Sequence, residues 1–196
     1  MRALRTLAVA TITAATLGLT AVPAHADTQT KKDASGDVVG LEDGGGNGTA
    51  ADRRRTDVLS LTGEHGDGRL RFTFTMADTS QARGGSFLSA QARFVTTDGS
   101  EYYASLERVG GGDATTALRR EGQPVTCRGL AGRVVSAKDR YVLVVPRSCV
   151  GNPDSVRFGG VVNYLTPSST ILGDDARRDG RVGDRPRLGT ARLANN

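Results

Sequence analysis

The sequence contains no tryptophan, and among its 196 residues there are only two cysteines, two histidines and six prolines. Two cysteines exclude a small protein held together by many disulfides. A sustained heptad pattern and repeated long apolar runs are also absent, which excludes a coiled coil and a membrane protein with several spans. Glycine is abundant, with 26 residues, and all but three of the 26 cationic residues are arginine. Such a composition favours short strands joined by many turns.

Residues 1–26 have the three parts of a secretory signal peptide. Arg2 and Arg5 provide a positive start, residues 7–19 are apolar, and a small-residue stretch ends at Ala26. The apolar stretch is shorter than the roughly 20 residues that span a bilayer, and no cysteine follows it that could carry a lipid. We therefore predict cleavage before Asp27, secretion of the mature chain and no membrane anchor.

Cys127 and Cys149 are the only cysteines of the chain. In an oxidising compartment two cysteines most often pair with each other. A redox or nucleophilic role is not supported, because the chain has no C-x-x-C motif and no histidine near either cysteine in sequence. Two thiolates are also too few for a metal site. We predict a structural disulfide that stabilises the fold by about 3 kcal/mol in the chain-entropy model.

Apolar residues at every second position predict strands along most of the chain after residue 56. Residues 56–76 form a predicted hairpin around a glycine-rich turn at 65–68. Residues 141–145 are apolar on both faces, which predicts a central strand of the core. Several short strands of this kind predict an all-β fold, an antiparallel β-sandwich of the immunoglobulin-like or jelly-roll-like kind, with a barrel as the competing arrangement.

The chain divides into three parts. After the signal peptide, residues 27–55 are polar and glycine-rich, and we expect one edge strand there, near Val38 and Val39. Residues 56–196 form the predicted sandwich domain. Its last part, after Pro167, is a polar tail rich in arginine and aspartate with a final strand predicted at 188–193.

Two stretches resemble known secreted proteins. Residues 33–37 (DASGD), followed by Asp57 and the predicted hairpin, resemble the opening of secreted DOMON-like and family-9 carbohydrate-binding β-sandwiches. The segments CRGL at Cys127 and VVPRSCVGNP around Cys149 are similar to a paired-cysteine signature in small secreted actinobacterial proteins that have no assigned function. These resemblances imply an exported sandwich, and family-9-like sandwiches often carry structural calcium.

Candidate ligand-binding residues fall into two groups. Tyr102 and Tyr103 could stack on a sugar if they lie in a groove or on a flat face. Asp33 and Asp37 are candidate calcium ligands, because calcium prefers carboxylate and carbonyl oxygens, and residues 173–180 are a second oxygen-rich segment. Asx turns are the alternative explanation for these aspartates.

Catalytic and nucleic-acid-binding residues are not evident. His65, the only histidine after the signal peptide, lies in the predicted hairpin turn, where an exposed side chain is poorly held as a base. The arginine clusters at 53–55 and 177–192 lack stacking aromatics, so we expect no nucleic-acid partner. Four glutamates could supply a carboxylate pair, but their polar surroundings predict solvated side chains: Glu64, Glu101, Glu107 and Glu121.

The sequence thus favours a secreted, monomeric, non-enzymatic β-sandwich. We expect an extracellular binding or accessory module for the cell surface or a polysaccharide, with no cofactor other than the candidate calcium. Two alternatives remain open. One is an extracellular hydrolase that uses a carboxylate pair, and the other is a secreted inhibitor or structural envelope protein with a protruding loop or an apolar surface patch.

Overall fold

The computed structural model describes residues 26–41, 48–80 and 84–194. The predicted signal peptide lies outside these residues apart from Ala26, and so does most of the glycine run at 44–48. Within the three ranges no helix is long and apolar enough to cross a membrane. Antiparallel strands dominate, as the alternating pattern predicted.

The first sheet has five strands. They are β1 (Asp27–Lys32), β3 (Val58–His65), β4 (Arg69–Met76), β9 (Ala131–Val135) and β10 (Arg140–Pro146). Their order is β1-β3-β4-β10-β9, and every neighbouring pair is antiparallel. The pair β3–β4 is the predicted hairpin. Residues 141–145 lie in β10, which is paired on both sides but is not the central strand that their apolar run predicts, because β4 occupies the middle of the sheet and β10 lies beside the edge strand β9.

The second sheet is larger. Its strands are β2 (Val39–Gly40), β5 (Phe87–Thr96), β6 (Glu101–Val109), β7 (Ala114–Arg120), β8 (Gln123–Pro124), β11 (Ser155–Leu165), β12 (Ile171–Asp175) and β13 (Leu193–Ala194). Their order is β2-β12-β11-β5-β6-β7-β8, and β13 pairs with β11 beside β12.

The core lies between the inner faces of the two sheets. Phe72 of the first sheet stacks on Phe94 of the second, with ring centroids 5.2 Å apart, and Phe158 lies 5.8 Å from Phe72. Gly160 makes room for this packing, because a Cβ there would lie 2.5 Å from the ring of Phe74. Two separate sheets packed over one apolar core form the predicted sandwich, and the barrel alternative is wrong.

The predicted disulfide is confirmed. The sulfur atoms of Cys127 and Cys149 are 2.06 Å apart and their Cα atoms 5.5 Å apart. The bond joins the loop before β9 to the 3-10 turn Arg147–Val150 that follows β10. It therefore joins the two strands at the open end of the β9–β10 pair, where the start of β9 lies beside the end of β10.

The described residues of the segment 27–55 form more regular structure than its composition indicates. In place of one edge strand it contributes β1 to the first sheet, β2 to the second, and the helix α1 (Ala50–Thr56). The helix begins at Thr49, whose hydroxyl accepts a hydrogen bond from the Asp52 amide while the Asp52 carboxylate accepts one from the Thr49 amide. Strand β1 has no apolar alternation and pairs through its backbone, so its sequence carries no strand signal.

The tail after β12 follows the edge of β11. The Ala176 amide donates to the carbonyl of Gly160, and the Gly189 amide donates to that of Phe158. The guanidinium carbon of Arg177 lies 5.0 Å from the Phe158 ring centroid. The last strand is shorter than the predicted 188–193 and begins later, at Leu193.

Candidate functional site

The two candidate stacking residues point to opposite sides of β6. Tyr102 is 5% exposed and stacks on Phe94 with a centroid separation of 5.4 Å, so it belongs to the core. Tyr103 lies half-buried on the outer face, where its hydroxyl donates to Glu101. The expected role of Tyr102 in sugar stacking is therefore wrong, because successive side chains of a strand face opposite sides.

The two candidate calcium ligands do meet, and three further aspartates join them. The carboxylates of Asp33, Asp37 and Asp179 each place an oxygen within 4.8 Å of the other two. Asp37 belongs to a second group of the same dimensions with Asp57 and Asp174. We call these five residues the aspartate cluster. The oxygen-rich segments 33–37 and 173–180 stand out in the sequence, but nothing in it indicates that they touch.

Backbone amides hold the aspartate cluster in place. The Gly36 amide lies 3.0 and 3.1 Å from the two carboxylate oxygens of Asp57, and the Val58 amide donates to Asp174 Oδ2 at 2.7 Å. The Gly180 amide donates to Asp37 Oδ2, also at 2.7 Å. The loop before β2, the start of β3, the end of β12 and the tail therefore converge at one point.

Three oxygens of the aspartate cluster have no hydrogen-bond partner among the residues that the structure describes. They are both carboxylate oxygens of Asp33 and Oδ1 of Asp37, and each exposes less than 1 Å². Burial, followed by the charge of Asp37, raises the pKa of Asp33 to about 7. Burial also raises the pKa of the 2%-exposed Asp174 to about 8. The carboxyl groups of the aspartate cluster are thus not neutralised by a positively charged partner among the described residues.

A second candidate site lies on the outer face of the first sheet. Arg69 and Arg71 project from β4 and Arg133 from β9, around a cavity of about 220 Å³. Between these strands, β10 presents Val142 and Val144, which pair with Arg133 and Arg71 respectively. We call this surface the arginine face.

The arginine face has unbalanced positive charge. Arg71 lies 3.5 Å from the Glu64 carboxylate, whereas Arg69 and Arg133 are exposed and form no ion pair within the described ranges. The Nε of Arg71 is buried and has no hydrogen-bond partner there. A cavity with guanidinium groups at its rim and valines at its floor suits a ligand that has both acidic groups and apolar ring faces.

His65 is buried, contrary to its predicted position in an exposed turn. It is the last residue of β3, and the turn consists of residues 66–68. Its Nδ1 donates to the carbonyl of Leu193 at 3.0 Å, since a carbonyl can only accept, and Nε2 is buried without a partner among the described residues. Burial lowers the pKa of His65, so the ring stays neutral near pH 7.

Glu101 is not the solvated side chain that its polar surroundings predict. Glu101 is only partly exposed and accepts two hydrogen bonds from Arg93, at 2.9 and 3.2 Å. These bonds lower its pKa, which keeps the carboxylate ionised. Glu101 lines a cavity of about 400 Å³ together with Glu121, Tyr103 and Arg185. A general acid for glycoside hydrolysis needs a raised pKa instead.

Comparison of the chain with protein-family models, with curated proteins and with solved structures returned no match. The resemblance to DOMON-like and family-9 carbohydrate-binding sandwiches therefore stays a prediction. The two features that bear on function are the aspartate cluster and the arginine face.

Proposed function

We propose that the mature chain is an extracellular, non-enzymatic binding module that holds an anionic polysaccharide on the arginine face. The observation that carries this proposal is the convergence of Arg69, Arg71 and Arg133 around one cavity with an apolar floor. Guanidinium groups bind carboxylates and phosphates through paired hydrogen bonds. The predicted signal peptide supports a location where such polymers occur.

The spacing of the arginines favours a polymer over a small anion. Residues two apart on one face of a strand are about 6.8 Å apart, and next-but-one strands are about 9.6 Å apart. These are separations of backbone positions, and an extended ligand with several acidic groups suits three arginines so arranged better than a single phosphate or carboxylate does. A chain with repeated acidic groups can contact all of them, and its sugar rings can pack against the half-buried Val144, beside the 6%-exposed Val142.

The hydrolase alternative is less well supported. The best-placed carboxylate, Glu101, is held ionised by Arg93, and the one described histidine is buried in the core. The alternative of an inhibitor or envelope protein predicts an apolar surface patch. Among the described residues, the large apolar side chains classed as exposed are those of Leu41 and Val109. These features support binding through charge.

The test measures binding of the purified mature protein to hyaluronan, a soluble uronate polymer, with dextran as a neutral polymer. We expect binding to hyaluronan and none to dextran. The double variant Arg71→Gln/Arg133→Gln should weaken binding at least about 10-fold, because it removes two charge-assisted contacts. Depletion of the protein by insoluble cell-wall material should show the same dependence.

The matched control is Arg54→Gln/Arg119→Gln, which removes the same charge from two exposed positions away from the arginine face. Its affinity should stay within about twofold of the unsubstituted protein, since exposed charges at a distance are screened by salt. Equal loss in both double variants would mean that only net charge matters, and the proposal would be wrong. Absence of binding to hyaluronan and to cell-wall material would also overturn it.

A further inference from the structure

We propose that the aspartate cluster is a calcium site. Asp33, Asp37 and Asp179 supply ligands, and the carboxyl groups of Asp57 and Asp174 lie beside Asp37 on the buried side. This inference is independent of the arginine face. It joins residues from segments that are remote in sequence and makes the metal a cross-link between them.

The unpartnered oxygens distinguish this site from an ordinary group of surface acids. A buried carboxylate oxygen without a donor is costly, and the large majority of buried polar atoms in proteins have a partner. Here three such oxygens, from Asp33 and Asp37, lie in one cluster and each exposes less than 1 Å². A cation bound between these carboxylates would give unpartnered oxygens of both residues a ligand.

Nearby arginines do not take the place of a cation. Arg53 directs its Nη2 to the backbone carbonyls of Val38, at 2.7 Å, and Gly36, at 3.4 Å. Arg178 pairs with Asp175, which is not part of the cluster. Within the ranges that the structure describes, no arginine or lysine forms an ion pair with any of the five aspartates.

The donor set identifies the metal as calcium. All five side chains offer oxygen, whereas zinc sites are built mainly from histidine and cysteine. Magnesium keeps several waters and is usually bound by one or two carboxylates, while calcium takes six to eight oxygens in flexible geometry. Calcium sites of extracellular modules have dissociation constants of about 10⁻⁴–10⁻³ M, and we expect a value in this range.

The experiment titrates calcium into the mature protein after removal of metal with a chelator that is then dialysed away. Calorimetry should show about one bound calcium per chain, and the midpoint of thermal unfolding should rise with calcium concentration, because the ion binds the folded state. Magnesium at equal concentration controls for ionic strength and should have a much smaller effect. No heat and no shift at about 10 mM calcium, well above the expected range, would overturn the proposal.

Substitutions locate the site. Asp33→Asn should weaken calcium binding at least about 10-fold, because it removes the carboxylate whose two oxygens lack partners. Asp179→Asn, at an exposed ligand, serves as the second variant if Asp33→Asn does not fold, and it should also weaken binding. Asp113→Asn, at an exposed position outside the cluster, is the matched control and should bind normally.

Unchanged calcium affinity in the folded Asp33 and Asp179 variants would show that the ion binds elsewhere and would overturn the proposal. The variant Arg71→Gln/Arg133→Gln should bind calcium like the unsubstituted protein. Loss of hyaluronan binding and loss of calcium binding are therefore separate results, and either proposal can fail alone.

Discussion

Gly159 lies on β11 at the point where the C-terminal tail crosses the outer side of the second sheet. Its neighbour Gly160 faces the core, so Gly159 faces outward. A Cβ built on Gly159 would lie 1.9 Å from the carbonyl oxygen of Arg187, a backbone atom that cannot rotate away. The missing side chain therefore allows the tail to approach the sheet.

We expect Gly159→Ala to lower the free energy of unfolding by about 1–3 kcal/mol, because overpacking forces the backbone to shift. Urea unfolding followed by far-ultraviolet circular dichroism measures the change. The matched control is Gly68→Ala, where an added Cβ meets no atom within 4 Å. If the two substitutions had equal effects, the close approach of the tail would be wrong.

His65 predicts a pH effect with a definite sign. Because burial lowers its pKa in the folded state, the unfolded chain binds its proton first, near pH 6.5. Stability from this residue is present above that pH and is lost as the pH falls below it. We expect the unsubstituted protein to lose about 1 kcal/mol more than His65→Gln between pH 7.5 and 5.5.

The readout is the difference between the two proteins in urea unfolding at each pH. Asp33 and Asp174 have raised pKa values, so their contributions have the opposite sign and favour the folded state at lower pH. They are common to both proteins and cancel in the comparison. Parallel pH profiles would contradict the buried, neutral His65.

At the scale of elements, the disulfide fastens the pair β9–β10. Strand β9 is at the edge of the first sheet and pairs with β10 alone. Cys127 precedes β9 and Cys149 follows β10, with a separation of 22 residues. The bond therefore limits the freedom of an edge hairpin in the unfolded chain.

The variant Cys127→Ser/Cys149→Ser should lose about 3 kcal/mol of unfolding free energy, as the chain-entropy model gives for a loop of this length. Urea unfolding of the oxidised protein and of the variant measures this difference. A reducing agent should destabilise the unsubstituted protein and leave the variant unchanged. A loss below about 1 kcal/mol would show that the reduced chain keeps this hairpin ordered.

At the scale of the whole molecule, one apolar core connects both sheets. Aromatic rings from β4, β5 and β11 contact one another across the sandwich, through Phe72, Phe94 and Phe158. The N-terminal strand β1 and the C-terminal strand β13 also meet, because the Ala194 amide donates to Asp27 at 2.9 Å. The buried apolar side chains of the described residues form one cluster.

We therefore expect a single cooperative thermal transition. Far-ultraviolet circular dichroism reports on the sheets, and near-ultraviolet dichroism reports on the packed tyrosines, since the chain has no tryptophan. The two midpoints should coincide. Two separated transitions would mean that the sheets unfold independently.

Strands that have a local apolar alternation are predictable from the sequence, and strands that depend on pairing with distant residues are not. The alternation of β4 is visible within eight residues, whereas β1 is polar and owes its place to pairing with β3. In β6 the alternation of Tyr102 with Ala104 and Leu106 predicts that Tyr102 faces inward, and its burial confirms this. The predicted turn position of His65 is wrong, because strand β3 continues one residue further than the glycine turn indicates.

The class of fold and the disulfide are predictable from the sequence, because strand alternation is local and two cysteines leave one pairing. Asp33 and Asp37 are also recognisable from the sequence as candidate calcium ligands. That Asp57, Asp174 and Asp179 meet these two residues, and that Arg133 lines the same cavity as Arg71, is visible only in the folded chain. Those contacts depend on strand register and on the path of the tail, which arise from packing between residues far apart in the chain.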